Sequence, residues 1–296
     1  MACDIKISGY TVWADRDKIR SANPLIHNIT NSVVQDFTAN ALLALGASPI
    51  MSDCAEEIEE LVAISSAVNI NIGTPNAQSA EAMRKAISAA QKLGKPVALD
   101  PVAVGATKMR RTLVEEILGS GAPAVIRGNL AEISVFAGME WAGKGVDSGT
   151  EPTEPGDIVR QAAHKIGCVA VGTGKIDYAS DGRLLFSLAN GHPLMTRVTG
   201  MGCVATSIVA AFLAVQPVPL IAAVHAMAFV DIAGEWAAER AQAEGPGTFR
   251  VKFLDSFDRL TAKDLDAAIR TRMETNCTPA ETDCPSGITG PDALRH

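Results

Sequence analysis

Aromatic residues are scarce in this chain, at 4% of 296 residues against 47% hydrophobic in all. Ala, Val, Ile and Leu supply most of the apolar content, which suits small-residue helices packed on a sheet. None of the six cysteines (Cys3, Cys54, Cys168, Cys203, Cys277 and Cys284) forms a C-x-x-C pair. That removes the commonest zinc and redox spacings, and a chain this long needs no disulfide staples. Cys277 and Cys284 are near enough in sequence to bridge, but reduced thiols in a cytoplasmic protein are the expectation. H-E-x-x-H, the Walker A loop and G-x-S-x-G are also missing, which argues against a zinc protease, a P-loop NTPase and an α/β-hydrolase. The net charge is −7, with no dense run of Lys and Arg. Nucleic acid is therefore not the expected partner, although a nucleotide is allowed, because backbone N–H groups alone can hold phosphate. The first residues lack a basic segment leading into an apolar one, so no signal peptide is expected. The longest central apolar run, 204–215, is too short to span a bilayer, so no membrane partner is expected.

What is present centres on residues 195–212, Met-Thr-Arg-Val-Thr-Gly-Met-Gly-Cys followed by an Ala-rich apolar helix. Gly200 and Gly202 allow backbone conformations that other residues resist and a close approach to a ligand. The N–H groups of the following helix favour an anion there, and a helix start is also where a thiol pKa falls. The segment thus offers an anion cradle with Cys203 as a base or nucleophile. A tight turn into a buried helix, with Cys203 as a small buried residue, accounts for the same residues.

Residues 1–23 read as a weak leader. Helical spacing predicts helices over 32–45, 56–66, 76–93, 108–118, 130–137, 158–166, 220–240 and 262–273. Apolar β-branched runs predict strands at 48–51, 67–72, 96–101, 124–129 and 168–174, with a hairpin about Asp181-Gly182. Residues 143–156 and 245–247 read as loops. Residues 1–274 form one expected domain, and the polar 275–296 a disordered tail. Alternating strands and helices imply an α/β fold with a mostly parallel central sheet and helices on both faces. Such sheets bind ligands beyond the strand carboxyl ends, and Met51, Asp100, Arg127, Thr173 and the Gly200–Cys203 turn all fall at such ends.

Asp100 follows an apolar strand, and Glu132 opens a helix just after Arg127-Gly128-Asn129. Together they suit Mg²⁺, which takes one or two carboxylates, waters and substrate phosphates; a turn cap and a first-turn helix residue are the alternatives. Arg127 suits a phosphate or a structural ion pair. Thr173, between two glycines, offers a hydroxyl and N–H groups to a nucleotide. The scattered His27, His164, His192 and His225 read as ordinary surface or core residues, with only His27 in a polar stretch of interest.

Five segments carry a resemblance: Pro24-Leu-Ile-His-Asn-Ile-Thr-Asn31, Ala44-Leu-Gly-Ala-Ser-Pro-Ile-Met51, Leu99-Asp-Pro-Val-Ala-Val-Gly-Ala106, Val125-Ile-Arg-Gly-Asn129, and Asn190-Gly-His-Pro-Leu-Met-Thr-Arg-Val-Thr-Gly-Met-Gly-Cys203. In this order, over residues 12–255, they resemble the hydroxyethylthiazole kinase family. The resemblance implies a ribokinase-like fold and a homotrimer with active sites at subunit interfaces. It also implies Mg²⁺- and ATP-dependent phosphorylation of the alcohol of 4-methyl-5-(2-hydroxyethyl)thiazole in thiamine synthesis and salvage. It places Met51, Gly200 and Asn31 at the thiazole, Arg127 and Thr173 at ATP, and Asp100 and Glu132 at the metal. Cys203 stands where related sugar kinases carry an Asp base. Gly172 departs from the β-branched residue expected before Thr173, which implies a looser nucleotide turn. A non-catalytic nucleotide or thiazole sensor on the same fold, and a cysteine-nucleophile transferase needing a His near Cys203, are the competing readings.

Overall fold

The protein is described from a computed structural model, which covers residues 5–139, 154–242 and 244–275. The expected tail, most of the 143–156 loop, and Cys3, Cys277 and Cys284 lie outside the described residues. One nine-stranded sheet runs through the molecule in the order β2-β1-β3-β4-β5-β6-β7-β8-β9. The strands are β1 (Leu25–Ile29), β2 (Ser48–Met51), β3 (Ala67–Asn71), β4 (Val97–Asp100), β5 (Val125–Asn129), β6 (Val169–Thr173), β7 (Asp177–Ser180), β8 (Leu184–Leu188) and β9 (Thr271–Thr275). The first six pair in parallel and the last three antiparallel. Apolar β-branched runs too short for helices and bounded by Gly, Pro or Asn give the parallel strands.

Helices cover both faces. On one lie α3 (Ile58–Ile64), α4 (Ala77–Leu93), α5 (Lys108–Ser120), α6 (Leu130–Phe136) and α7 (Pro155–Ile166). On the other lie α1 (Gly9–Ala22), α2 (Gln35–Leu45), α8 (Met201–Leu213), α9 (Pro219–Arg240), α10 (Pro246–Arg259) and α11 (Ala262–Ala268). Several helix ends are written locally. Asn76 caps α4 and Gly94 closes it in the left-handed conformation, while Gly46 does the same for α2. By length and composition α9 could cross a membrane, but 83% of its apolar window is buried within the protein. It packs on α1, α8, α10 and the sheet, as a core helix does.

Four expectations need correction. The leader is helix α1, whose Val12, Asp15, Arg16 and Ile19 are buried. The two charged side chains find partners: Asp15 meets His225 at 2.7 Å, and Arg16 Nη2 donates to the Phe257 carbonyl at 2.7 Å. The 245–247 loop is the start of α10, with Pro246 in the first turn, where proline is tolerated. The last helix ends at Ala268, not Met273. The Asn190 side chain takes the Ala268 carbonyl and the Arg270 N–H, turning the chain into β9, which pairs with β8. Finally, the polar stretch about His27 holds strand β1, Leu25–Ile29, so His27 is a buried strand residue. Its Nε2 lies 3.1 Å from the Ser52 carbonyl, and burial holds its pKa below the usual imidazole range.

Candidate active site

Strand side chains alternate between faces, and this period builds the site. Ile26, Ala67, Ala98, Val125 and Val171 belong to the core on the α8 side, whereas Ile29, Ile70, Leu99, Ile126 and Ala170 belong to the opposite core. Counting by twos, Asn28, Asn69, Asn71, Asp100, Arg127 and Thr173 all face α8. A polar seam therefore crosses an otherwise apolar sheet, and α8 answers it from the first turns of its otherwise apolar length. Thr206 Oγ1 donates to Asp100 Oδ2 at 3.0 Å, and Ser207 Oγ donates to Asn28 Oδ1. The strand register sets Asn71 beside Asp100 and Asn129 beside Thr173.

At the rim this seam becomes a chain of hydrogen bonds. Asn31 Nδ2 donates to Cys203 Sγ at 3.3 Å and to Asn71 Oδ1 at 2.9 Å, and Asn71 Nδ2 donates to Asp100 Oδ2 at 2.7 Å. The structure thus brings Asn31, Cys203 and Asp100 into one network. Asn71 and Thr206, which join them, were missed from sequence. The readable signal was Val68-Asn-Ile-Asn71, a strand with an amide at every second position.

Burial pushes the Asp100 carboxyl up to about 7, with Arg127 opposing and Glu132 adding to the rise. Burial also pushes the Cys203 thiol up to about 11, and the negative charge of Asp100 adds to it. This is opposite to the lowering expected at a helix start: loss of water outweighs the helix N-terminus here. His192, the nearest histidine in sequence, caps a 3₁₀ turn at Pro193–Arg197 through the Leu194 N–H, and among the described residues no imidazole is hydrogen-bonded to Cys203.

Glu132 closes a capping box with Asn129: its Oε2 accepts the Asn129 N–H at 2.8 Å. Its Oε1 accepts the Ala103 N–H at 2.7 Å. Ala103 holds φ +54, a left-handed conformation unusual for alanine. One carboxylate therefore starts α6 and also holds the strained turn that follows Asp100. Oxygen donors suit Mg²⁺, and each carboxylate oxygen has a second lone pair to offer. Both donors to Asp100 fall on Oδ2, leaving Oδ1 for a metal ion or its water. No group of three or more His, Cys, Asp or Glu side chains able to hold a metal occurs among the described residues. The set therefore suits an ion that completes its shell with phosphate and water.

Arg127 lies over the start of α8. Its Nη2 donates to Thr173 Oγ1 at 3.3 Å, and its buried Nε has no partner among the described residues. The Gly172–Thr173–Gly174 turn is less loose than expected. A Cβ on Gly172 would come within 2.6 Å of Val159 Cγ2, so packing of α7 explains the glycine. The Gly174 N–H is held by Asp177 Oδ1 at 2.9 Å. The two glycines of the opening motif do different work. Gly200 precedes α8 with φ +85 and backs onto Val34, whereas Gly202 is inside the helix and makes room for Arg127. Met51 ends β2 at the sheet edge, beside Asn28, with its side chain half-buried.

A model of the hydroxyethylthiazole kinase family matches residues 17–263. The hydroxyethylthiazole kinase of Granulibacter bethesdensis is 46% identical over 252 residues, which is 85% of this chain and 91% of that protein. Among solved structures, the hydroxyethylthiazole kinase protein from Pyrococcus horikoshii OT3 gives a TM-score of 0.81 at 41% identity, over 89% of this chain and 99% of that one. A ribokinase-like superfamily protein from Enterococcus faecalis, at 14% identity and TM-score 0.58 over 81% of this chain and 88% of that one, shares the fold alone. With the family model covering most of the chain and a close solved relative sharing its ribokinase-like fold, the chain belongs to the hydroxyethylthiazole kinase family.

Proposed function

We propose that this protein transfers the γ-phosphoryl group of ATP, with Mg²⁺, to the hydroxyl of 4-methyl-5-(2-hydroxyethyl)thiazole, working as a cytoplasmic homotrimer. The observation that carries the reading is the Cys203–Asn31–Asn71–Asp100 network beneath the N-terminus of α8, on the same rim as Arg127 and Thr173. Met51, Asn31 and Gly200 border the alcohol. Arg127 and Thr173 receive the nucleotide phosphates. Asp100 and Glu132 hold Mg²⁺, which when bound neutralises charge on the phosphate oxygens. The N–H groups at the start of α8 point to where negative charge spreads in the transition state. Cys203 borders the reacting hydroxyl. Its thiol is protonated at rest and so lines the site without accepting the proton, which leaves the hydroxyl late in a loose transition state and passes to water or to the transferred phosphoryl group. The large apolar side chains Val33, Leu43 and Ile64 are exposed, which supports burial against another copy.

The test is ADP release measured against a panel of alcohols that includes the thiazole. Thiazole-dependent ADP release is expected. Tight thiazole and nucleotide binding with no ADP release would instead establish a sensor. Light scattering on the purified protein tests the trimer.

A further inference from the structure

The β3–β4 ladder ends where the Ile72 N–H donates to the Asp100 carbonyl at 3.2 Å. Past that bond the strands stop pairing, and three carbonyls of the two loops meet one side chain instead. Arg110 Nη1 donates to the Ile72 carbonyl at 2.6 Å and to the Val102 carbonyl at 2.9 Å, and its Nη2 donates to the Gly73 carbonyl at 2.7 Å. A planar fork with five donors suits such a task. Arg110 lies in the first turn of α5, where its backbone N–H is held by Thr107 Oγ1 at 3.3 Å, so the cap does not depend on its side chain. Each loop leads to a different part of the rim. On the β3 side, the Gly73 N–H donates to Asn71 Oδ1 at 2.9 Å, the atom that also accepts Asn31 Nδ2 at 2.9 Å. A Cβ on Gly73 would lie 2.6 Å from Asn31 Nδ2, so this loop backs directly onto that amide. On the β4 side, Val102 stands two residues after Asp100 and precedes Ala103, whose N–H is held by Glu132 Oε1 at 2.7 Å.

We propose that Arg110 is a positioning residue that sets the separation between the alcohol and the metal–phosphate side of the site, by tying the loop behind Asn31 to the loop that follows Asp100. The inference rests on the reading given above, with Asn31 at the alcohol and Asp100 and Glu132 at Mg²⁺. Each half of the site keeps its own bonds: Gly73, Asn71 and Asn31 on one, Glu132 and Ala103 on the other. Lower in the sheet, Asn71 Nδ2 joins the halves through Asp100 Oδ2. At the loops above, Arg110 joins them through Ile72, Gly73 and Val102. Losing Arg110 therefore leaves each half able to hold its ligand and frees the spacing between them. In-line transfer is sensitive to that spacing, since a displacement of about 1 Å costs on the order of 100-fold in rate. Arg110 itself touches no reacting atom.

The experiment compares Arg110→Ala with Arg111→Ala, which removes the same charge one residue along at an exposed position. The full chain is assayed for kcat of ADP release with ATP, Mg²⁺ and the thiazole alcohol saturating. Calorimetry gives the Kd of the alcohol and of ADP, each alone, and hydrogen exchange is followed at the amides of 72–74 and 102–104. Arg110→Ala is expected to lower kcat about thirtyfold while both Kd values stay within about threefold of the parent protein, and to speed exchange in both loops together. Arg111→Ala is expected to match the parent in every measure. A folded Arg110→Ala protein with kcat within about threefold of the parent overturns the proposal. So does one whose lost rate is matched by an equal loss of affinity for either ligand, which would confine Arg110 to one half. If Arg110→Ala fails to fold, Arg110→Gln, whose shorter side chain cannot span both loops, is judged by the same measures. A parent protein that binds both ligands yet releases no ADP overturns the kinase reading, and exchange then decides the tie: faster exchange in both loops supports it, and unchanged exchange in either overturns it.

Discussion

Gly202→Ala separates function from folding. Gly202 has ordinary helical backbone within the first turn of α8, so a side chain there brings no backbone strain. Its Cβ would meet Arg127 Nη1 at 2.8 Å, whereas ordinary contact begins at 3.4 Å. The guanidinium must therefore retreat by about half an ångström or swing aside, and as the end of a flexible side chain it can do so at small cost to packing. Alanine also gains about 0.5–1 kcal/mol over glycine inside a helix. Net stability should thus stay within about 1 kcal/mol of the parent protein. The Arg127–Thr173 hydrogen bond is already long at 3.3 Å and will not survive the shift. A hydrogen bond to a charged group contributes about 1.5–3 kcal/mol, which corresponds to roughly ten- to 150-fold in KM for ATP. The assay is steady-state ADP release with ATP varied at saturating alcohol, alongside a denaturant melt. Gly200→Ala supplies the contrast, because φ is +85 there and a Cβ would lie 2.3 Å from Val34 Cγ1. Left-handed strain of about 1–2 kcal/mol and overpacking of about 1–3 kcal/mol should lower its melt directly. Unchanged KM for ATP in Gly202→Ala, or equal destabilisation by the two substitutions, refutes the assignment of Arg127.

The remaining predictions concern the rim and α1. Cys203→Ala should slow turnover yet keep measurable activity, and Cys203→Asp should be active; a folded, ATP-binding Cys203→Asp protein with no turnover shows that a carboxylate base is not accepted at this position. Because the thiol pKa is raised to about 11, Cys203 stays protonated through neutral pH and should add no step to the pH–rate profile between pH 6 and 9. A step near pH 8 that disappears in Cys203→Ala would contradict this. Asn71→Ala leaves Asp100 and Asn31 each short of a buried partner, so denaturant unfolding should show a loss of about 1–3 kcal/mol, with kcat falling as well. For Asp15, burial raises the carboxyl pKa, but His225, Lys18 and Gln216 outweigh it and hold the group well below the usual range. Its contribution is therefore complete above about pH 4 and is lost as pH falls further. Asp15→Ala leaves the buried His225, and Gln216, short of an acceptor, so it should cost about 1–3 kcal/mol at neutral pH and flatten the acid limb of the stability curve.

The parallel sheet and its rim were legible because their signals are local. Short apolar runs ending in Asp100, Arg127-Gly-Asn129 and Thr173 named both the strands and the ends that matter. The failures share another cause. Val12, Asp15, Arg16 and Ile19 have helical spacing, but two of the four are charged, and only tertiary contacts with His225 and Phe257 allow their burial. Phe249, Phe253 and Phe257 are spaced as i, i+4, i+8 and stack into a buried cluster with Phe229. That signal for α10 was overridden by the Gly-Pro-Gly before it. β9 has no local signal at all, since Asn190, about eighty residues earlier, decides where α11 stops. Within the site, individual residues were readable and their connections were not, because Asn71 and Thr206 meet Asp100 only across different elements.

Those connections change what Arg127 means. Taken along the chain it is one cation at a strand end. In the fold its charge is felt by Asp100 and Cys203 on one side and by Asp177 and Asp231 on the other. Gly202 lets the guanidinium lie close against the start of α8. A nucleotide phosphate arriving between them would compete for the same five donors. Arg127 is buried against Gly202 and makes one side-chain bond, to Thr173, which leaves part of its donor set for an incoming phosphate. Such a residue suits a site where phosphate charge arrives, shifts and leaves in every turnover.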